Sequence, residues 1–209
     1  MLTLYQRTDC PFCWKVRIAL EELSLDYEIV PLRLGDKHPD VVKLSPTGTV
    51  PVFVADQAVV WESSVILDYL DRRFAPGRLI PAEPDAEARV RLLQAYSDKV
   101  VGGCMKDLVF EKRSKPESEW DADLIRAAEA KWHACQAWLE AQLGRNALFG
   151  KGFSAADCAL AARFGVAAAY GAAVTEEYPA LHSWFAAVRA RPAWRSAYPT
   201  SFIRADKAA

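Results

Sequence analysis

Cys10-Pro11-Phe12-Cys13 constrains this chain more than any other stretch, because of what flanks it. A short apolar run, Leu2-Thr3-Leu4-Tyr5, reads as a strand. After the motif, Phe12, Val16, Ala19, Leu20 and Leu23 recur at the spacing of one helix face. Proline suits the first helical position, where its missing N–H costs nothing, so Cys10 falls at the N-cap. Free backbone N–H groups and the helix dipole favour negative charge there. A thiolate at such a point is stabilised, and the thiolate is the reactive form. A zinc site would need further ligands at suitable spacing, whereas the other cysteines (Cys104, Cys135, Cys158) and histidines (His38, His133, His182) are scattered singly. Redox or nucleophilic thiol chemistry is the expectation, and no metal. Trp14 lies about 200° around the helix from Phe12, so it is expected either to line a groove or contact a partner, or to be covered by another domain.

Leu25–Leu34 reads as a second strand, with Tyr27, Ile29 and Leu32 on one face and Pro31 marking an edge. Strand, helix and strand within this length predict a parallel pair with a right-handed crossover. Gly35–Lys43 is a polar loop with a short helix. A strand then begins at Val50-Pro51-Val52-Phe53-Val54, with Val50-Pro51 a candidate cis peptide. Asp56-Gln57 turns the chain into Ala58–Trp61, a hairpin. Glu62-Ser63-Ser64 opens a helix with apolar Ile66, Leu67, Leu70 and Phe74, capped by Ser63 or Ser64.

The proline-rich run Ala75–Pro84 reads as a linker. Beyond it every pattern is helical: Pro84 to about Lys112, bent near Gly102-Gly103; Asp121–Leu143; Ser154–Ala169; Pro179–Ala190; and a short turn over Pro192–Tyr198. Ser154 with Asp157 forms a variant capping box. The domains expected are 1–78, a linker at 79–84, and an all-helical unit over 85–209.

The order β-α-β-β-β-α with Cys10-Pro11-Phe12-Cys13, Thr49-Val50-Pro51-Val52-Phe53 and Glu62-Ser63-Ser64 resembles the thioredoxin fold. More closely, it resembles the N-terminal domain of the glutathione transferase superfamily, and the helical second half matches as well. The resemblance implies an α/β thioredoxin-like N-terminal domain followed by an all-α domain. The catalytic cysteine is similar to that of the omega class and related cysteine-type members; C-P-F-C is also a glutaredoxin form, but glutaredoxins are much shorter. Glutathione is the implied co-substrate. Glu62 would take its ammonium, the helix start at Ser63 its γ-glutamyl carboxylate, and the Val50 backbone beside Pro51 its cysteinyl part. Phe12 and Thr49 border this site. A basic residue, Lys37 or alternatively His38, would meet the glycyl carboxylate. Many members carry lysine before the Val-Pro pair; Thr49 removes that cation here. Tyr5 precedes the turn and is expected in the core, and the second-substrate pocket is expected near Val101, Cys104, Met105 and Leu108.

These residues imply a glutathione-dependent thiol transferase or reductase, with a glutathionyl-Cys10 mixed disulfide and Cys13 as a possible resolving thiol. Disulfides, dehydroascorbate, glutathionyl-quinones and glutathionyl-ketones all suit as second substrates. The alternatives are a glutathione-conjugating transferase and a non-enzymatic member resembling the stringent starvation protein. A homodimer is implied, paired through the helices from Ser64 and Pro84. The net charge of −1 gives no electrostatic reason to expect nucleic acid. The Ala-rich segment near Ala161–Ala173 is broken by Arg163 and two glycines, so no membrane span is expected. Five cysteines without framework spacing and no secretory pattern predict a reducing, cytoplasmic setting.

Overall fold

The computed structural model describes residues 1–35 and 37–202. One position of the expected loop, 36, and the end of the expected helical domain, 203–209, lie outside these. The first half runs β1 (Leu2–Gln6), α1 (Pro11–Glu22), β2 (Glu28–Pro31), α2 (Pro39–Leu44), β3 (Val52–Ala55), β4 (Ala58–Trp61) and α3 (Ser63–Phe74). The sheet order is β2-β1-β3-β4. β1 is parallel to β2, with Leu4 opposite Ile29, and antiparallel to β3, with Leu4 opposite Phe53. This is the thioredoxin-like arrangement read from the motif order. Pro31 sits on the edge strand, where a missing N–H breaks no inner ladder. Two details of the first strands differ from expectation. Ile29 is exposed, as are Glu28 and Pro31 on the same edge strand. Tyr5 is half-buried and packs edge-on against His38, 5.8 Å between ring centroids, on the face opposite the buried Leu4.

The second half is helical: α4 (Pro84–Tyr96), a π-helical turn over Ser97–Val101, α5 (Gly102–Ser114), α6 (Ala122–Leu143), α7 (Ala155–Ala169), α8 (Pro179–Ala190) and α9 (Pro192–Ala197). The break expected near Gly102-Gly103 is that π turn, a single-turn irregularity of a kind often found at functional sites. Among the described residues no helix is long and apolar enough to cross a membrane.

Helix α1 is buried from Cys13 to Leu20, on every face. It packs against α3, α7 and α9, so the single stripe seen in sequence understates its burial. Trp14 is fully buried against Trp194, with ring centroids 4.6 Å apart, and against Tyr198. Of the two expectations for Trp14, coverage by the helical half holds. Gly165 on α7 permits this: a Cβ there would stand 2.3 Å from Trp14 Cη2.

Both halves are stitched by polar groups. Asp71 on α3 is buried and accepts from Gly77, Leu79 and Ile80 N–H groups, fixing the chain as it leaves α3. Arg191 forks onto Glu22 at 2.5 and 2.7 Å. Asp157 accepts from the Ser154 N–H and hydroxyl, and also from the Phe149 N–H and Trp184 Nε1. It therefore joins two further segments beyond the capping role read from sequence.

Candidate functional site

Cys10 is the N-cap of α1, with Pro11 at the first helical position as the sequence predicts. The residue is 6% exposed and Cys13 is fully buried. The Cys10 thiol is lowered to about 6. The largest cause is a hydrogen bond from the Cys13 thiol. Burial opposes it, and the Cys13 N–H, the Arg7 charge and the Phe12 N–H add to it. The Cys13 thiol moves the other way, well above its ordinary value, because it is buried and because it donates to Cys10. The Arg7 N–H donates to Cys13 Sγ at 3.5 Å, so β1 and the following turn hold the pair from the sheet side. Sequence reasoning found the helix-start effect but missed Cys13 as the main stabiliser of Cys10.

Cys10 lies between two cavities. The first, about 600 Å³, is lined by Cys10, Phe12, Lys37, Thr49, Val50, Pro51, Glu62 and Ser63, so every residue of the expected first site except Cys13 meets here. Four segments supply them: the start of α1, the loop between β2 and α2, the loop into β3, and the turn from β4 into α3. Val50-Pro51 is cis. Glu62, rather than Ser63 or Ser64, is the N-cap of α3. Its φ of +67° lies in the left-handed region, uncommon for a residue with a Cβ, and such conformations cost about 1–3 kcal/mol and cluster at functional sites. Ser63 is buried in the first helical turn, where unpaired N–H groups point out of the helix. His38 does not line this cavity; it caps α2 by accepting from the Asp40 N–H at 3.3 Å. Arg7 and Arg33 do line it and were not singled out from sequence. Arg33 follows the β2 edge strand, and only the path of that strand beside β1 brings it in.

The second cavity, about 440 Å³, opens on the other side of Cys10 and Phe12. Met105, Val109, Phe110 and Val166 give it apolar walls, and Lys99, Lys106, Arg113 and Arg163 give it cations. Of the four residues expected here only Met105 lines it. Val101 and Leu108 are core, and Cys104 faces Cys135 on α6, Sγ to Sγ 2.9 Å. Within α5 the cavity takes the face of Gly102, Met105, Lys106 and Val109, about one residue around the helix from the face expected. Among the described residues no group of three or more metal-ligating side chains is gathered.

Known proteins agree with this geometry. The family model described as "Glutathione S-transferase, N-terminal domain" matches residues 4–78, and that for the C-terminal domain matches residues 122–187. The chain is 28% identical over 216 residues to glutathione S-transferase A of Pleuronectes platessa, covering 99% of this chain and 95% of that protein. It is 36% identical over 93 residues to a stringent starvation protein A homolog of Haemophilus influenzae, covering 44% of each. A glutathione S-transferase of Methylobacillus flagellatus, solved with glutathione bound, superposes with a TM-score of 0.81 at 27% identity, covering 96% of this chain and all of that one. With both domain models matched in order over a thioredoxin-like sheet and a helical second half, this chain belongs to the glutathione S-transferase superfamily.

Proposed function

We propose that this protein is a cysteine-type, glutathione-dependent thiol transferase or reductase. The observation that carries the reading is the Cys10 thiol, lowered to about 6 and lying where the two cavities meet. Glutathione occupies the first cavity. The Glu62 carboxylate takes its ammonium, and the Ser63 N–H and hydroxyl take its γ-glutamyl carboxylate at the positive end of α3. The Val50 backbone beside Pro51 pairs with the cysteinyl part, with Phe12 and Thr49 at the borders. Lys37 meets the glycyl carboxylate, with Arg33 a second cation on the same side. Residues 1–78 are the glutathione-binding unit in this reading, 79–84 the linker and 85–209 the helical cover.

In turnover the Cys10 thiolate attacks the glutathionyl sulfur of a mixed disulfide. The old S–S bond breaks, the partner thiolate leaves through the second cavity, and glutathionyl-Cys10 remains. The thiolate of a second glutathione then attacks the glutathionyl sulfur, releasing oxidised glutathione and restoring Cys10. Cys13 does not resolve the intermediate, because its raised pKa makes it a poor attacker. The reading includes a reducing, cytoplasmic setting that supplies the second glutathione. It also includes a homodimer, supported by exposed Val59, Trp61 and Val65 on β4 and α3 and Leu92 on α4.

A panel of hydroxyethyl disulfide, dehydroascorbate, a glutathionyl-quinone and a glutathionyl-ketone, each with glutathione, tests the reading. Turnover of at least one of them, abolished by Cys10→Ser, is expected. Conjugation of glutathione to an aryl halide that survives Cys10→Ser, with no turnover of the panel, would favour the conjugating alternative. Inactivity in both assays would favour the non-enzymatic alternative.

A further inference from the structure

Arg163 interrupts the alanine-rich helix α7, and its guanidinium stacks on Phe12, 4.3 Å from carbon to ring centroid, in the wall of the second cavity. The residue is 8% exposed. Its Nη2 is buried and meets no hydrogen-bond acceptor among the described residues. The carboxylate nearest to it, Asp98, stands 3.9 Å away at Oδ1, while Asp98 Oδ2 is engaged by Lys15 Nζ at 2.6 Å and the Ser64 hydroxyl at 3.1 Å. The other acid of the cavity, Asp9, is held by Arg7 at 2.5 Å. Gly102 makes the room: a Cβ there would lie 2.8 Å from Arg163 Nη2. A buried guanidinium is costly unless it is paired and hydrogen-bonded. Here the fold clears space for one and leaves a donor without an acceptor, beside apolar walls and a reactive thiol.

We propose that the second cavity recognises an aromatic carboxylate, with the carboxylate on Arg163 and the ring against Phe110 and Met105. Resting on the thiol-transfer reading, the inference names its substrate class: a mixed disulfide of glutathione with an aryl thiol that bears a carboxylate. Arginine remains charged throughout the useful pH range and presents planar donors matched to a carboxylate. Cys10 lines both cavities, so the scissile S–S bond spans them. Attack on the glutathionyl sulfur leaves glutathione on Cys10 and releases the aryl thiolate on the Arg163 side.

The test compares the glutathione mixed disulfide of 4-sulfanylbenzoate with that of its methyl ester, in the wild type, Arg163→Met and Arg163→Lys. The wild type should prefer the carboxylate by at least about tenfold in kcat/KM, as expected of a charge-assisted hydrogen bond in an enclosed site. Arg163→Met should bring the ratio of the two substrates close to one, and Arg163→Lys should restore part of it. The pH profile of Cys10 alkylation is the readout that separates substrate recognition from support of the thiolate. An Arg163→Met variant that shifts this profile and slows both substrates equally would overturn the proposal. If Arg163→Met does not fold, Gly102→Ala, which crowds the guanidinium, should lower the same ratio. Calorimetry with 4-(methylthio)benzoate, which cannot react, separates the two readings. Binding to the wild type and loss in Arg163→Met, without turnover of either disulfide, would leave the anion site standing and the thiol-transfer reading overturned. Equal turnover of both disulfides by the wild type would overturn the anion site alone.

Discussion

Lys15 Nζ lies 2.6 Å from Asp98 Oδ2, tying the buried face of α1 to the π turn of the helical half across 83 positions of sequence. Lys15 is 1% exposed, and the Ser64 hydroxyl touches both partners, 3.2 Å from Nζ and 3.1 Å from Oδ2. Removing the acid strands a buried ammonium. Asp98→Asn should therefore cost about 3–5 kcal/mol of unfolding free energy, measured by urea denaturation. Lys15→Met should cost less, because Asp98 is partly exposed and retains Arg163 nearby. Equal and small losses, below about 1 kcal/mol as for a surface pair, would show that the bridge does not join the halves.

Cys13 should matter to turnover through its hydrogen bond rather than through its own nucleophilicity. In Cys13→Ala the Cys10 thiol loses its largest stabiliser, so the pH midpoint of Cys10 alkylation should move upward. Cys13→Ser keeps a donor, so its midpoint should stay closer to the wild type and its thiol transfer should fall less than about tenfold, roughly 1.4 kcal/mol of barrier. A larger loss in a stably folded Cys13→Ser protein would mean that Cys13 resolves the intermediate.

The same thiol makes stability depend on pH. Its pKa falls from 9.0 in an unfolded chain to about 6 in the fold. The stabilisation is then fully present above pH 9 and is lost as pH falls through 6. The stability difference between wild type and Cys10→Ser should accordingly move in favour of the wild type between pH 6 and pH 9. A flat or reversed difference over that window, measured by chemical denaturation, would contradict a thiolate in the folded state.

Asp157→Ala should cost more than the ~1–2 kcal/mol of a lost cap. Trp184 Nε1 and the Phe149 N–H would lose their acceptor together with Ser154. A loss on the order of 3 kcal/mol or more is expected, since each buried unpaired donor costs about 1–3 kcal/mol. A thermal or urea melt showing only the cap-sized loss would mean that water replaces the carboxylate.

What could be read from the sequence was local. The helix start at Pro11, the edge position of Pro31, the hairpin after Val50-Pro51 and the capping pair Ser154 and Asp157 each follow from neighbouring residues, and the fold followed from their order. The first cavity was legible for the same reason, since its residues sit at turns between strands and helices of a recurrent order. The second was not. Arg163 is a cation inside an apolar helix, and its meaning depends on Asp98 and Phe12, which distant segments bring to it. Arg163 was visible as the residue that broke an alanine-rich run, but its single interruption did not reveal which cavity it faced. Trp14 was undecided for a similar reason: Gly165 and Trp194 cover it from far along the chain.

In the proposed cycle Cys10 carries glutathione. Intact-protein mass spectrometry of the wild type mixed briefly with the glutathione disulfide of hydroxyethanethiol, followed by peptide mapping, would detect that adduct. One glutathionyl group on Cys10 is expected, formed readily at pH 7 because the thiolate predominates above about 6, and removed on adding glutathione. No adduct in Cys10→Ser should accompany it. Glutathionylation mainly at Cys104 or another cysteine, or an internal Cys10–Cys13 disulfide as the accumulating species, would contradict the account.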